Sequence, residues 1–333
     1  MQRLPPFSYE PARSVAEAVA LLSKYGADAM PVSGGTDLYA NMKQRLFAPK
    51  VLVGLRPIRA LRFIAYDDAR GLEIGALATV RDLAESEIVV ARYPALARAA
   101  SSISTPQLRA MGTVGGNLCL DTRCNYYNQN LDWRAALGFC LKNGADICRV
   151  AAGSRTCLAV NASDLAPVLQ AFGAAVHLAG SGGERALDIA QFFTDDGRNA
   201  LARDAREILV KIALPPAQPG TRSAYRKLRQ RASFDFPLLG VASVVWLDGA
   251  GVCRDARVVL NALGPRPVEA LEAAQCLIGT RLEPEALAIA ADAAYKVGKP
   301  MENAGTTLAY RKRMLRVFTR RTLEDIAGVG APA

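Results

Sequence analysis

A glycine-rich loop between a short apolar strand and a helix places the strongest constraint on how this chain folds. Residues 29–32 (AMPV) predict a strand, residues 38–45 predict a helix, and the loop SGGTD at residues 33–37 joins them. A helix is predicted earlier, over residues 14–25. Ser14 and Glu17 would form its capping box, its apolar residues fall on one face, and Gly26 would end it. With a second apolar strand at residues 51–55, the chain begins in the β/α manner.

Two glycine loops in this chain have the chemistry of an anion cradle. Glycines let the backbone approach a ligand closely, and successive N–H groups then point at the bound anion. The loop TVGGN at residues 113–117 repeats the small-residue pattern of residues 33–37, so the pair predicts an extended dinucleotide held at two places. A plain turn followed by a helix cap is the alternative for either loop alone. Asp37 would repel a phosphate, so we expect its carboxylate to cap the helix or to contact a sugar hydroxyl.

Neither loop has the spacing of a Rossmann or P-loop motif.

Between and beyond the loops, further elements are predicted. A hairpin is predicted over residues 62–76, a helix capped by Thr79 follows it, and apolar strands are predicted at residues 174–178 and 207–214. The segment PPAQPG at residues 215–220 is the best domain boundary in the chain.

Beyond this boundary the pattern changes. Apolar β runs at residues 241–247 and 257–263 predict a second hairpin, and helices are predicted over residues 268–277 and 284–296. The densest basic stretch, residues 311–321, interleaves its charges with apolar residues at helical spacing, which indicates a helix docked on its own domain.

Four cysteines fall within a short segment: Cys124, Cys140, Cys148 and Cys157. Four thiolates suit a 4Fe-4S cluster or a structural zinc, although the Cys-x-x-Cys pairs usual for zinc are absent here. A structural free thiol is the alternative for any one of them. Cys119 lies close by and is expected to pack against the second glycine loop.

Composition narrows the function classes. The net charge is +10, but Lys and Arg are spread along the chain, and no zinc-finger or RNA-recognition signature accompanies them. The two glycine loops argue against the function of a basic nucleic-acid-binding protein with a structural metal.

His177 is the only histidine, which argues against a Ser-His-Asp triad. Seven cysteines without a signal-peptide pattern or a long apolar run predict reduced thiols in a cytoplasmic protein with no membrane span.

Three segments together resemble the FAD-binding subunit of the xanthine dehydrogenase/CO dehydrogenase family of molybdenum hydroxylases. They are PVSGGTDL at residues 31–38, TVGGN at 113–117 and SDLAP at 163–167, and the likeness extends over nearly the whole chain. In that family the second and third motifs lie close together, whereas here all four clustered cysteines stand between them. This insertion is similar to the one that marks the beta subunits of 4-hydroxybenzoyl-CoA reductases, which carry a 4Fe-4S cluster beside FAD.

The resemblance implies an α+β protein. A two-lobed FAD-binding (PCMH-type) α/β domain would span residues 1–217, with lobes at about 1–55 and 56–217 and a 4Fe-4S insertion at about 118–160. A C-terminal domain like that of CO dehydrogenase flavoproteins, with an antiparallel sheet and helices, would follow over residues 222–333.

The resemblance also implies which residues bind the cofactors. FAD contacts are implied for Pro31, Val32, Ser33, Gly34, Gly35, Thr36, Asp37, Leu38, Thr113, Gly116, Asn117, Asp164 and Lys227. The first loop would hold the pyrophosphate, Asp164 would lie near the ribityl chain or ring, and Lys227 would reach the ring. Cluster ligation is implied for Cys124, Cys140, Cys148 and Cys157. No catalytic residue is expected in this chain.

The implied function is electron transfer to a molybdenum site. Ferredoxin would reduce the 4Fe-4S cluster, and electrons would pass through FAD and the 2Fe-2S centres of a small partner to molybdopterin on a large partner. There 4-hydroxybenzoyl-CoA would be reductively dehydroxylated to benzoyl-CoA during anaerobic aromatic degradation, in a dimer of heterotrimers. The alternative is a hydroxylase subunit that passes substrate electrons outward to NAD or a quinone, with zinc or vestigial cysteines in the insertion.

Overall fold

Three sheets organise residues 3–328, the part of the chain that this computed structural model describes. Residues 1–2 and 329–333, the outer ends of the two predicted domains, lie outside the described residues. Helix accounts for 35% and strand for 23% of the structure, which agrees with the predicted α+β class. No helix in the described part is both long and apolar enough to cross a membrane.

The strands are β1 Ser8–Pro11, β2 Ala29–Val32, β3 Val51–Gly54, β4 Ile64–Asp67, β5 Gly71–Gly75, β6 Ala175–Gly180, β7 Gly183–Asp188, β8 Ile208–Leu214, β9 Thr221–Leu228, β10 Leu239–Leu247, β11 Cys253–Asn261 and β12 Val268–Glu269. The helices are α1 Val15–Tyr25, α2 Leu38–Lys43, α3 Val80–Glu85, α4 Glu87–Arg92, α5 Pro94–Ser102, α6 Pro106–Met111, α7 Val114–Leu118, α8 Leu131–Ala136, α9 Leu165–Ala171, α10 Ile189–Phe192, α11 Leu271–Gln275, α12 Pro284–Val297 and α13 Leu308–Ala327.

The first sheet is parallel, with the fully buried strand β3 between β1 and β2. Helix α1 packs its buried face on this sheet. Ser14 caps α1 as predicted by accepting a hydrogen bond from the Glu17 N–H. The predicted capping box is only half formed, because the Glu17 carboxylate accepts from the N–H of Arg13 rather than from that of Ser14. The first glycine loop begins directly after the carboxyl end of β2.

The second sheet is antiparallel in the order β4-β5-β8-β6-β7 and carries the largest core cluster. All seven residues of α9 are buried, five of them in that cluster, and α5 contributes several buried alanines that let the helices approach closely. Thr79 caps α3 and forms the complete capping box with Asp82. Because α9 follows directly after Asp164, this tightly packed helix fixes that carboxylate in space.

The C-terminal sheet has the order β12-β11-β10-β9 and is covered by α11, α12 and α13. The prediction of a basic helix docked on its own domain is correct, since Arg311, Leu315 and Leu323 of α13 are buried. The prediction of a helix beginning at residue 268 is wrong. Val268 and Glu269 pair instead with β11, because that edge of the sheet offers free backbone groups, and α11 begins only at Leu271.

The side chain of Arg311 lies in the core of the C-terminal domain and hydrogen-bonds to several of its loops. This side chain is fully buried and donates to the carbonyls of Leu238 at 3.0 Å and Met301 at 2.6 Å, to that of Ala262, and to Asn303 Oδ1 at 3.1 Å. Burial lowers the pKa of this guanidinium to about 10. Asn303 thereby holds its position and donates to the carbonyl of Leu158, next to Cys157, at 2.6 Å.

Candidate cofactor site

A cavity of about 670 Å³ lies where the two glycine loops meet the C-terminal domain. Every residue predicted to contact the cofactor lines it, from Pro31–Leu38 in the first loop to Lys227 on β9. The segment 234–238 and residues 303–305 complete the wall from the C-terminal side. The fold therefore gathers the predicted contacts, which are scattered along the sequence, into one space.

The two loops touch each other directly. The hydroxyls of Ser33 and Thr113 lie 2.9 Å apart, and Thr113 also accepts a hydrogen bond from the N–H of Gly116 at 3.1 Å. Gly34 has no room for a side chain, because a Cβ there would collide with the carbonyl of Met111. The loops thus form one continuous floor of small residues and N–H groups, which suits a bound pyrophosphate.

Asp37 does not cap the helix that follows it, contrary to one of the two roles expected for it. Its side chain makes no capping bond to α2; instead it accepts from Arg123 and, at 2.8 Å, from Asn41. Burial raises the pKa of the Asp37 carboxyl, and the Arg123 guanidinium opposes that rise. The sequence offered no sign of this partner, which lies 86 residues away.

A buried polar network around Asp164 lies at the wall of the cavity. Lys227 donates to Asp164 at 2.8 Å, and their side chains are only 3% and 4% exposed. Tyr225 donates to the same carboxylate at 2.6 Å. Burial raises the pKa of Asp164, while the Lys227 ammonium and both hydrogen bonds oppose the rise. Asn117 accepts from the Ser163 hydroxyl at 2.6 Å, so the second loop is tied to the same segment.

The four clustered cysteines surround a second, small cavity of about 10 Å³, room for roughly one water molecule. Cys124, Cys140, Cys148 and Cys157 all line it, and all four are buried thiols. Burial raises the pKa of Cys124 to about 12 and also raises that of Cys157, so these two thiols must lose protons before they can bind a metal. Within residues 3–328, no group of three or more His, Cys, Asp or Glu side chains is arranged to hold a single metal ion.

The donor set of this cysteine cavity is nevertheless that of an iron–sulfur or zinc site, because it offers four thiols and no competing histidine. Lys142 lines the cavity with its side chain 5% exposed. Its ammonium donates to Asp121 at 2.5 Å and to the Gly197 carbonyl at 2.6 Å. This positive charge opposes the rise that burial causes in the pKa of Cys157.

The sequence and the fold match known proteins along nearly the whole chain. Residues 5–217 match the family of the FAD binding domain in molybdopterin dehydrogenase, and residues 223–326 match the CO dehydrogenase flavoprotein C-terminal domain. The chain belongs to the FAD-binding subunits of the molybdenum hydroxylase family. It binds FAD, and the cavity of about 670 Å³ is lined by every residue predicted to contact that cofactor.

The relatives of this FAD subunit include the carbon monoxide dehydrogenase medium chain of Afipia carboxidovorans, 30% identical over 96% of both chains. The aldehyde oxidoreductase FAD-binding subunit of Escherichia coli K12 is 34% identical over 80% of this chain and 85% of its own. Among solved structures, the Cu,Mo-CO dehydrogenase in its cyanide-inactivated form superposes with a TM-score of 0.80 at 29% identity, covering 98% of this chain and 100% of its own.

Several residues of this FAD subunit that line the cavity, or that hydrogen-bond to its lining residues, were not predicted from the sequence. Tyr225 could have been, because it stands two positions before Lys227 on one strand, and residues two apart on a strand point to the same face. Asn303 and Phe236 could not, since nothing local marks them. Cys119 lines the cavity directly after the second loop. Cys124 lines both cavities, so the cysteine cavity and the cofactor cavity share a wall.

Proposed function

We propose that this FAD subunit carries electrons outward from a molybdenum site to an external acceptor, NAD or a quinone. It would receive them from the 2Fe-2S centres of a small partner subunit, which stands next to a large molybdopterin subunit. The observation that supports this most is the likeness along 96% of the chain to the medium chain of a carbon monoxide dehydrogenase. A relative described as the xanthine dehydrogenase FAD-binding subunit, 26% identical over 97% of this chain, agrees with it.

Bound FAD would supply one- and two-electron chemistry at the cavity. The loop of residues 31–38 would hold the pyrophosphate through backbone N–H groups, and Thr113, Gly116 and Asn117 would continue this cradle. Lys227, which lines the cavity and is paired with Asp164, would help to position the cofactor as a hydrogen-bond donor.

A second candidate function is favoured by the cysteine cavity. In this function the subunit belongs to a 4-hydroxybenzoyl-CoA reductase, and electrons enter from ferredoxin through a 4Fe-4S cluster held by Cys124, Cys140, Cys148 and Cys157. The donor set supports a cluster, and a cluster would require the thiols to move apart from the small space that they now enclose. The wall shared at Cys124 supports a path between such a cluster and the cofactor cavity.

Metal and flavin content of one anaerobically purified sample tests both functions. The reductase function predicts about four irons per FAD, lost in Cys140→Ser and kept in Cys253→Ser, since Cys253 is a buried cysteine on β11 outside the cysteine cavity. Retention of iron in Cys140→Ser, or a preparation with flavin and no iron, would contradict it. The complex is then assayed with NAD, a quinone and reduced ferredoxin. Outward transfer predicts reduction of NAD or the quinone, and ferredoxin-driven reduction of substrate alone would contradict it.

We also propose the domain division at residues 217–222 and the cysteine insertion at about residues 118–160. The separate sheets on either side of this division support it, because β8 ends at Leu214 and β9 begins at Thr221 in a different sheet. A dimer of heterotrimers and a cytoplasmic location complete the proposal. Seven cysteines without a disulfide among them support the reducing location.

A further inference from the structure

The cysteine insertion also places charges in the wall of the cofactor cavity. Four carboxylates line this cavity although the cofactor that binds there carries a pyrophosphate, and two of them, Asp37 and Asp121, face the insertion. Each is paired with a basic residue of the insertion, Asp37 with Arg123 and Asp121 with Lys142. Unpaired, either carboxylate would repel the anion, because like charges in a partly desolvated site interact strongly.

Arg123 engages Asp37 in a closed arrangement. Its Nη2 donates to Asp37 Oδ1, its Nη1 donates to Asn41 Oδ1 at 3.0 Å, and Asn41 Nδ2 donates to Asp37 Oδ2 at 2.8 Å. The guanidinium also lies 4.4 Å from the centroid of the Phe236 ring. Both oxygens of Asp37 therefore accept a hydrogen bond, and the guanidinium offsets the charge of the carboxylate.

The backbone holds Arg123 firmly at this place. Its N–H donates to the Val160 carbonyl at 2.8 Å, and the Val160 N–H donates back at the same distance, so the two ends of the insertion are joined there. Arg123 Nε is buried and has no partner among residues 3–328. Other atoms of Arg123 line the cavity.

We propose that Arg123 is a positioning residue of the FAD site, which neutralises Asp37 and keeps the loop of residues 33–37 open to the pyrophosphate. The insertion would thereby complete the cofactor site in addition to carrying the cysteines. The proposal rests on the assignment of this loop to the pyrophosphate, made above.

The test is a double-mutant cycle on the full chain after removal of FAD. Binding of FAD is followed by quenching of flavin fluorescence, and ADP, which carries the pyrophosphate without the flavin, serves as a competing probe. Arg123→Met is expected to weaken FAD and ADP about tenfold, as the loss of one charge contact would. Adding Asp37→Asn is expected to restore both affinities to within about threefold of wild type, because the unpaired charge is then gone.

Arg203→Met is the matched control. Arg203 lines the same cavity, but it donates to the backbone carbonyls of Asp204 and Glu207 and pairs with no carboxylate among the described residues. Adding Asp37→Asn should therefore restore none of the FAD or ADP affinity that Arg203→Met loses. Unchanged affinities in Arg123→Met, or a loss that Asp37→Asn does not repair, would overturn the proposal. If Arg123→Met does not fold, Asp37→Asn alone decides, since it should bind ADP at least as tightly as wild type and a loss would refute the argument.

A further variant separates this proposal from the loop assignment. Gly34→Ala alters the backbone of the loop itself, because its Cβ would collide with the carbonyl of Met111. Weaker ADP binding in Gly34→Ala with no change in Arg123→Met refutes the role of Arg123 and leaves the loop assignment standing. Unchanged FAD and ADP binding in Gly34→Ala refutes the loop assignment.

Discussion

Replacing Lys227 by Met tests whether the buried ion pair at the cofactor cavity is indispensable for the fold. The change leaves Asp164, 4% exposed, with only the Tyr225 hydroxyl and without its counter-charge. Breaking one side of a buried pair costs about 3–5 kcal/mol. For a cooperative unit of about 150–250 residues, that corresponds to a loss of roughly 6–20 °C in Tm.

The matched control is Lys211→Met, which breaks the Lys211–Glu73 pair. Those side chains are 30% and 33% exposed, so the loss should stay below about 1 kcal/mol. The double variant Lys227→Met with Asp164→Asn should recover most of the loss, because no unpaired charge remains buried.

The loss should also depend on pH. Without Lys227, the pKa of Asp164 in the folded state rises further above its ordinary value of 3.8. The folded state then binds a proton more tightly than the unfolded state, so stability is retained at low pH and is lost as pH rises through the raised pKa. Thermal unfolding of the FAD-free protein, followed by circular dichroism at pH 5 and pH 8, measures this. A Lys227→Met variant as stable as Lys211→Met at pH 8, or one not rescued by Asp164→Asn, would refute the reasoning.

Two further predictions concern the packing around the site. Arg311→Met should destabilise the C-terminal domain by about 3 kcal/mol, since it leaves several buried carbonyls without a donor. Urea unfolding should show a far smaller loss for the control Arg313→Met, which changes an exposed residue of the same helix. Equal unfolding midpoints for the two variants would contradict the role of Arg311. Gly34→Ala should lower FAD occupancy, because its Cβ would collide with a backbone carbonyl. The control Gly249→Ala, with open space around it, should keep full occupancy. The ratio of flavin to protein absorbance measures the occupancy, and full flavin in Gly34→Ala would disprove the steric argument.

Local sequence signals were sufficient for most elements that surround the site. Caps such as Thr79, alternating apolar strands and the glycine loop between β2 and α2 are encoded within a few residues, so they could be read directly. Where such signals failed, tertiary pairing had overridden them. Residues 268–269 joined the edge of a sheet, and Glu17 bonded to the N–H of Arg13 instead of completing its box.

The four cysteines illustrate the same division. Their number and proximity in sequence predicted a shared site, and the structure places all four around one cavity. The wall that Cys124 shares with the cofactor cavity had no counterpart in the sequence. It exists because the fold packs the insertion against the glycine loops, which the spacing of cysteines cannot specify.

The sequence by itself determined the class of this protein, the two glycine loops, the clustered thiols and the cofactor-binding motifs, because each depends on residues that are neighbours along the chain. Only the tertiary structure decided the charge pairs of the site. Asp37 meets Arg123 and Asp164 meets Lys227 across 86 and 63 residues of chain. Such partners are chosen by the packing of distant segments, since a buried charge must find a counter-charge wherever the fold brings one within reach.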